Sequence, residues 1–236
     1  MADIGLLVSI GLIVIIVSVF VRPWPPDAIA GGVVDTAMGA ALIGLVVGRV
    51  AAVALDDPGA LTKLNDLLII RSGVEFWPGV AAGLAWLLIR VRRKHIRPWN
   101  QLAALAPGGL VAWAVYEATC VVRGGCPGPV SAVGLHPDGL TRGVFPIGLA
   151  VGAVAGACAV LLGVAQRRGL SSRRVVIAAI TAVAAIRSVA SLWLPHIGSG
   201  FTRQHRTSLV VAIAGFGALS ADLLASRRAH PEPSPA

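Results

Sequence analysis

Residues 38–48 read Met38-Gly-Ala-Ala-Leu-Ile-Gly-Leu-Val-Val-Gly48, a run without a charged or hydrogen-bonding side chain. Extended on both sides to about 20 residues, a segment of this kind is long enough to cross a bilayer as a helix. Gly44 and Gly48 form a small-xxx-small pair, which lets the backbones of two membrane helices approach closely. The stretch therefore predicts a tightly packed transmembrane helix.

The whole chain shares the composition of this stretch. Of its 236 residues, 56% are hydrophobic and 13% are charged, and the mean hydropathy is +0.81. Soluble domains contain about 45–50% apolar and about 25% charged residues. This composition excludes a water-soluble globular fold, a disordered chain and a disulfide-rich secreted domain. We predict an all-α, polytopic membrane helix bundle.

Seven segments are apolar enough to be predicted as spanning helices. We expect residues 1–226 to form a single transmembrane domain and residues 227–236 to form a short, Pro-rich tail. The predicted spans are residues 4–22, 33–55, 74–91, 99–121, 144–165, 175–195 and 208–225.

Basic residues lie on alternate connections between these segments. Twelve of the 20 Lys and Arg residues share one side: Arg22, Arg90, Arg92, Arg93, Lys94, Arg97, Arg167, Arg168, Arg173, Arg174, Arg227 and Arg228. Connections rich in Lys and Arg stay in the cytoplasm. We therefore expect an outside N-terminus, a cytoplasmic C-terminus and a place in the cytoplasmic membrane. The net charge of +9 is explained by this topology and by attraction to anionic lipid, so no nucleic-acid partner is predicted.

Ionisable residues inside apolar segments are candidate functional residues, because they are costly at membrane depth. Arg49 lies in the second predicted span, Glu117 near the outer end of the fourth and Arg187 in the middle of the sixth. A guanidinium matches the geometry of a phosphate, so Arg187 is a candidate ligand for a lipid phosphate. The alternative is a structural ion pair of Glu117 with Arg187 or Arg49. Asp35 and Asp222 lie near helix ends, where they reach water or pair inside the bundle.

The 120–142 segment is rich in Gly and Pro and is predicted to be a structured turn region. Its two cysteines, Cys120 and Cys126, are interpreted as a disulfide, as free thiols or as metal ligands, and the residues leave these alternatives open. A metal site is not favoured, since His136 alone supplies too few further ligands. His205, beside Arg203 and Arg206 at the outer mouth of the bundle, is expected to be solvated, and a role as a base is the alternative. No motif for a nucleotide, metal or other cofactor is present, so none is predicted.

The order of these pieces resembles the prolipoprotein diacylglyceryl transferase family, bacterial enzymes that load a diacylglyceryl group onto a lipoprotein cysteine. The resemblance extends from about residue 44 to 222 and includes the seven spans and their orientation. The matching stretches are Gly48-Arg49-Val-Ala-Ala-Val53, Gly73-Val-Glu-Phe-Trp-Pro-Gly79, Leu105-Ala-Pro-Gly-Gly-Leu110, Tyr116-Glu-Ala-Thr-Cys-Val-Val-Arg-Gly-Gly-Cys-Pro-Gly128 and Arg142-Gly-Val-Phe-Pro-Ile-Gly-Leu149.

The resemblance implies a bacterial inner-membrane protein that binds phosphatidylglycerol, with lipoprotein precursors as further partners. It leads us to expect Glu117, Arg142 and Arg187 as catalytic residues. The expected substrate-binding residues are Arg49, Arg71, Arg123, His136 and Arg203.

The sequence departs from the family's pattern at four places. Arg123 stands at an asparagine of the family's signature, and Ile147-Gly-Leu149 replaces its Leu-Tyr-Glu end. The other two departures bear most on the activity. Trp77 stands where the family has a histidine, and Glu117 stands at an arginine of its signature. These departures motivate an alternative, a non-catalytic lipid-binding protein or an accessory subunit that joins another membrane protein. A small transporter is a third interpretation, which the lack of an evident inverted repeat disfavours.

Overall fold

The structure is a computed structural model and describes residues 33–62, 74–93, 97–120, 128–136, 142–193 and 201–229. Within these ranges the chain is all-helical, as predicted, apart from one short strand. The helices are α1 (Val33–Asp56), α2 (Phe76–Arg93), α3 (Pro98–Ala118), α4 (Ile147–Arg167), α5 (Ser172–Ala190) and α6 (Arg203–Ala229). A 3₁₀ helix (Pro58–Thr62) follows α1, and strand β1 (Val130–Leu135) precedes α4.

Three of the described helices are long and apolar enough to cross a membrane, namely α1, α4 and α6. Their large apolar side chains point outward to an unusual extent: Leu161 of α4 is 67% exposed and Val210 of α6 is 66% exposed. A continuous apolar surface of this kind suits contact with lipid. Seven spans and the orientation of the termini stay predictions, and the first predicted span, residues 4–22, lies outside the described residues.

The described residues up to Leu105 and those from Ala106 onward form two compact units, the N-terminal unit and the C-terminal unit. In the N-terminal unit, α1 and α2 pack as an antiparallel pair. A Cβ atom at Gly79 would lie 2.7 Å from the carbonyl oxygen of Gly44, so the two backbones touch at this point. The Glu75 N–H donates to the carbonyl oxygen of Gly48 at 3.0 Å. The predicted role of Gly44 and Gly48 in close helix packing is thus confirmed.

An ion pair joins the other end of this helix pair. Arg90 of α2 binds the carboxylate of Asp35 in α1 at 2.5 Å, and its guanidinium carbon lies 5.1 Å from the centre of the Trp86 ring. Asp35 therefore pairs with a basic residue at the helix end, one of the two outcomes expected for it.

The C-terminal unit is built around the contact of α3, α4 and α5. Leu110 and Val111 of α3 pack against Ala159 of α4 and Ala179 of α5. Gly152 lets α4 approach α3 closely, because a Cβ there would lie 2.7 Å from the carbonyl oxygen of Ala114. These small residues bring the ends of the three helices near one another, which positions the site described below.

Helix α6 packs along α5. Gly215 has no Cβ atom, and its backbone therefore lies directly against the Thr181 side chain. At the α5 N-terminus, Arg174 donates to the carboxylate of Asp222 at 2.5 Å, and Arg173 lies 3.9 Å from the same carboxylate. Asp222 is thus held between basic residues at one end of the helix pair.

A short antiparallel ribbon precedes α4. Val130 and Leu135 each form a bridge with Val144, and Ser131 donates its N–H to the Gly143 carbonyl at 2.9 Å. The prediction of a structured, non-helical segment is confirmed where it is described. Cys120 is disulfide-bonded and Cys158 is a free thiol, while the third cysteine, Cys126, lies outside the described residues.

Candidate functional site

Four helix ends meet at one end of the C-terminal unit: the last turns of α3 and α5 and the first turns of α4 and α6. They enclose a cavity of about 70 Å³. This volume holds a few water molecules or one small polar group. The cavity is lined by Trp113, Glu117, Ile147, Gly148, Val151, Arg187, Ala190, Ser191, Gln204 and Ser208.

Among the described residues that line the cavity, Arg187 is the cationic one. Its Nη1 lies 3.8 Å from Oε1 of Glu117, and its Nη2 donates to Oε1 of Gln204 at 3.3 Å. Its side chain is 20% exposed, and that of Glu117 is 18% exposed. Charge-assisted N–H···O bonds of full strength are about 2.7–2.9 Å long. Both contacts are longer than that, and together they place the guanidinium in the cavity wall.

Glu117 is held in place from within its own helix. The indole N–H of Trp113 donates to Oε1 of Glu117 at 2.9 Å, across one turn of α3. The same oxygen atom faces Arg187. The position of α4 depends on this turn too, since a Cβ at Gly148 would lie 2.5 Å from the Glu117 carbonyl oxygen. Glu117 therefore orients Arg187 and shapes the cavity wall.

A hydrogen-bonded cluster of Ser188, Ser191 and His205 lies beside the cavity. His205 Nδ1 is 3.0 Å from the Ser188 carbonyl oxygen and 2.8 Å from Ser191 Oγ, and the Ser191 hydroxyl donates to that carbonyl at 2.7 Å. The cluster ties the start of α6 to the end of α5.

The prediction that His205 is solvated is wrong. His205 is only 7% exposed, and its ring stacks on Phe201 with the ring centroids 4.4 Å apart. The flanking Arg203 and Arg206 suggested an exposed position, and both of them are exposed. His205 faces the other side of the helix, where α5 covers it, so its neighbours in sequence were a poor guide to its burial.

The predicted depth of Arg187 is also corrected. Helix α5 begins at Ser172 and ends at Ala190, whereas the predicted span covers residues 175–195. Arg187 consequently lies in the last turn of the helix and not at its middle. An apolar run does not by itself mark where a helix ends, and the turn over Ser191–Trp193 continues the run after the helix has stopped.

Of the other predicted site residues, none of those described lines the cavity. Arg142 and His136 are exposed beside the ribbon, and Arg203 is exposed at the start of α6. Arg49 is buried in α1, in the N-terminal unit. Arg71 and Arg123 lie outside the described residues. Among the predicted residues that it describes, the structure therefore brings together only Glu117 and Arg187, as the ion pair that was the structural alternative to a phosphate ligand.

Several polar residues of the site were not predicted. Trp113, Ser191 and Gln204 contact the two charged groups or line the cavity with them, and Ser208 is buried at its wall. The signal for Trp113 was its position four residues before Glu117, since side chains at that spacing meet on a helix. Gln204 and Ser191 carried no such signal, because they reach the site from other helices.

No group of three or more His, Cys, Asp or Glu residues that could hold a metal ion occurs in the described part of the chain. Neither a model of a known protein family nor a curated protein matches the chain. The resemblance to the diacylglyceryl transferases therefore stays a hypothesis.

Proposed function

We propose that this chain is a multi-pass protein of the bacterial cytoplasmic membrane that binds the head group of an anionic phospholipid, with phosphatidylglycerol as the first candidate. The observation that carries the proposal is the position of Arg187 in the wall of the cavity, 3.3 Å from Gln204 and 3.8 Å from Glu117.

The chemistry of the cavity fits a phosphate. A guanidinium presents a planar set of donors that matches phosphate oxygens, and a phosphate is a stronger acceptor than the neutral Gln204 amide. A bound phosphate would replace the long contact to Gln204 with a short, charge-assisted one. Glu117 opposes this binding by charge while keeping Arg187 at the cavity wall, so the affinity is tuned by the Glu117–Arg187 pair.

The cavity is large enough for part of a lipid head group but not for the acyl chains. About 70 Å³ is far too small for a diacylglyceryl group. Large apolar side chains next to the cavity are exposed, among them Leu149 of α4 and Val210 and Ile213 of α6. The acyl chains would lie along these side chains in the bilayer, with the phosphate at Arg187.

Transfer of a diacylglyceryl group is the second candidate, favoured by the presence of a cation and a carboxylate in one cavity. In that reaction the sulfur of a lipoprotein cysteine bonds to the glycerol carbon, the carbon–oxygen bond to glycerol phosphate breaks, and the thiol proton passes to Glu117. Oε1 of Glu117 is already engaged by Trp113 and faces Arg187. Arg142, expected to assist, is exposed and away from the cavity wall. The geometry thus supports binding better than transfer, as an accessory lipid-binding subunit would require.

The test is a titration of the purified full chain with phosphatidylglycerol, followed by native mass spectrometry. We expect Arg187→Leu to lose about tenfold or more in affinity, while Arg206→Leu, which removes an exposed arginine from the same end of α6, binds as the wild type does. Equal binding by Arg187→Leu and the wild type would refute the site. Incubation with labelled phosphatidylglycerol and a lipobox peptide then separates the two candidates: transfer that is lost in Arg187→Leu establishes the enzyme.

A further inference from the structure

The turn between α4 and α5 carries a concentration of positive charge, which we call the arginine corner: Arg167, Arg168, Arg173 and Arg174. Arg167, Arg168 and Arg173 are exposed, and the side chain of Arg173 is 60% exposed. Helix α6 ends next to this corner, as the contact of Asp222 with Arg174 shows, and carries Arg227 and Arg228 in its last turn.

The internal structure neutralises this charge only in part. Asp222 is the only carboxylate at this end within the described residues of the C-terminal unit, and it forms an ion pair with Arg174 at 2.5 Å. Arg173 lies 3.9 Å from the same carboxylate, at the limit of an ion pair. With one carboxylate against four arginines, the corner keeps a net charge of 4 − 1 = +3.

The two arginines at the start of α5 lie where the dipole of their own helix disfavours positive charge. Arg173 and Arg174 lie in the first turn, and no acidic residue lies there. The N-terminus is the positive end of a helix dipole, so cations in the first turn are repelled. By contrast, Arg167 lies in the last turn of α4, where a cation is favourable. An anion outside the chain would relieve the repulsion at Arg173.

An apolar strip adjoins the corner on the membrane side. Leu161 and Val164 follow i, i+3 spacing and so share one face of α4, and Arg168 is the residue that caps the C-terminus of this helix. Leu161 and Val164 are both exposed. A ligand that fits this surface has an anionic head beside Arg168 and an apolar chain beside Leu161, which is the chemistry of an anionic phospholipid.

We propose that the arginine corner binds the phosphate of an anionic phospholipid, with an acyl chain against Leu161 and Val164. This site does not depend on the cavity at Arg187. Arg173 and Arg187 lie at opposite ends of α5, 14 residues apart, which corresponds to about 21 Å along the helix axis. The two sites would therefore take lipids from opposite leaflets.

The test compares the full chain with the variant Arg167→Gln/Arg168→Gln/Arg173→Gln, which keeps the Arg174–Asp222 pair. Native mass spectrometry measures binding of phosphatidylglycerol and of phosphatidylcholine with the same acyl chains, each in the Arg187→Leu background as well as in the wild type. We expect the triple substitution to weaken phosphatidylglycerol binding at the corner by about fivefold per arginine, roughly a hundredfold in all. In the Arg187→Leu background this removes the remaining bound lipid, whereas in the wild type it removes one of two bound lipids and leaves the lipid at the cavity. Binding of phosphatidylcholine should not change.

The matched control is Arg142→Gln/Arg203→Gln/Arg206→Gln, which removes three exposed arginines elsewhere in the same unit. An equal loss in this control would show a response to net charge alone and would overturn the proposal. Full displacement of the lipid by inorganic phosphate would overturn it too, since the acyl chain would then contribute nothing. Loss of all lipid binding in Arg187→Leu alone would refute a second site. Lipid binding that persists in Arg187→Leu and is lost in the triple variant would support the site at the arginine corner, even if the cavity proposal fails.

Discussion

Nη1 of Arg187 lies 3.8 Å from Oε1 of Glu117 and so joins the last turn of α5 to the last turn of α3. If the cavity takes a phosphate, Glu117 competes with it for the guanidinium. We predict that Glu117→Gln, which keeps an oxygen for the Trp113 indole N–H, raises the affinity for phosphatidylglycerol by about three- to tenfold. A lipid titration measures this. Weaker binding by Glu117→Gln would mean that the carboxylate supports the site and does not compete with the ligand.

The Trp113 indole holds the Glu117 carboxylate at 2.9 Å. Trp113→Phe removes the N–H and keeps an aromatic ring, so we predict a loss of about 1–2 kcal/mol in the free energy of unfolding. Denaturant unfolding in detergent measures it. The matched control is Trp193→Phe, at an indole that is half exposed, and it should change stability by much less. Equal effects would indicate that the hydrogen bond contributes little.

The close contact of α1 and α2 depends on the absence of a Cβ atom at Gly79. A methyl group there would lie 2.7 Å from the Gly44 carbonyl oxygen, a backbone atom that cannot move aside without shifting the helix. We predict that Gly79→Ala destabilises the chain by about 1–3 kcal/mol. Gly109→Ala is the control, since a Cβ at Gly109 meets nothing within 4 Å, and it should be neutral or slightly stabilising. Thermal unfolding of both variants measures the two effects, and equal stability of Gly79→Ala and Gly109→Ala would contradict the prediction.

The two ion pairs at helix ends differ in exposure. The side chain of Asp222 is 21% exposed, whereas that of Asp35 is 69% exposed. Because exposed pairs contribute about 0–1 kcal/mol, we predict that Asp35→Asn has little effect and that Asp222→Asn costs more, about 1–3 kcal/mol. Unfolding at low and at high salt measures both. The same cost for the two variants would show that burial does not govern these pairs.

Gln101 of α3 is fully buried, and neither the nitrogen nor the oxygen of its side-chain amide has a hydrogen-bond partner in the described part of the chain. An unsatisfied buried amide costs about 1–3 kcal/mol. We therefore predict that Gln101→Leu, similar in volume, stabilises the chain by about that amount. Asn100→Leu changes an exposed neighbour and should have no such effect. Destabilisation by Gln101→Leu would indicate that the amide binds a group required for the native state.

The hydropathy of the chain was sufficient to predict most of the fold. The predicted spans at 33–55, 74–91 and 144–165 match α1, α2 and α4 to within a few residues, because a long apolar run between polar connections has few alternatives to a helix. The ends of α5 and α6 were predicted less accurately. The last helix begins at Arg203, five residues before the predicted start, since polar residues such as Gln204 extend it beyond the apolar run.

Arg187 and Glu117 were recognised in the sequence because an ionisable residue inside an apolar segment stands out whatever its partners are. The sequence by itself determined that this protein is an all-helical chain rich in apolar surface, with charged residues at a few helix ends. Only the tertiary structure decided that Glu117 faces Arg187, that Gln204 and Ser191 share their cavity, and that His205 is buried. The physical reason is that helical periodicity relates residues one turn apart, whereas contacts between helices depend on where small residues such as Gly148 and Gly152 let the backbones meet.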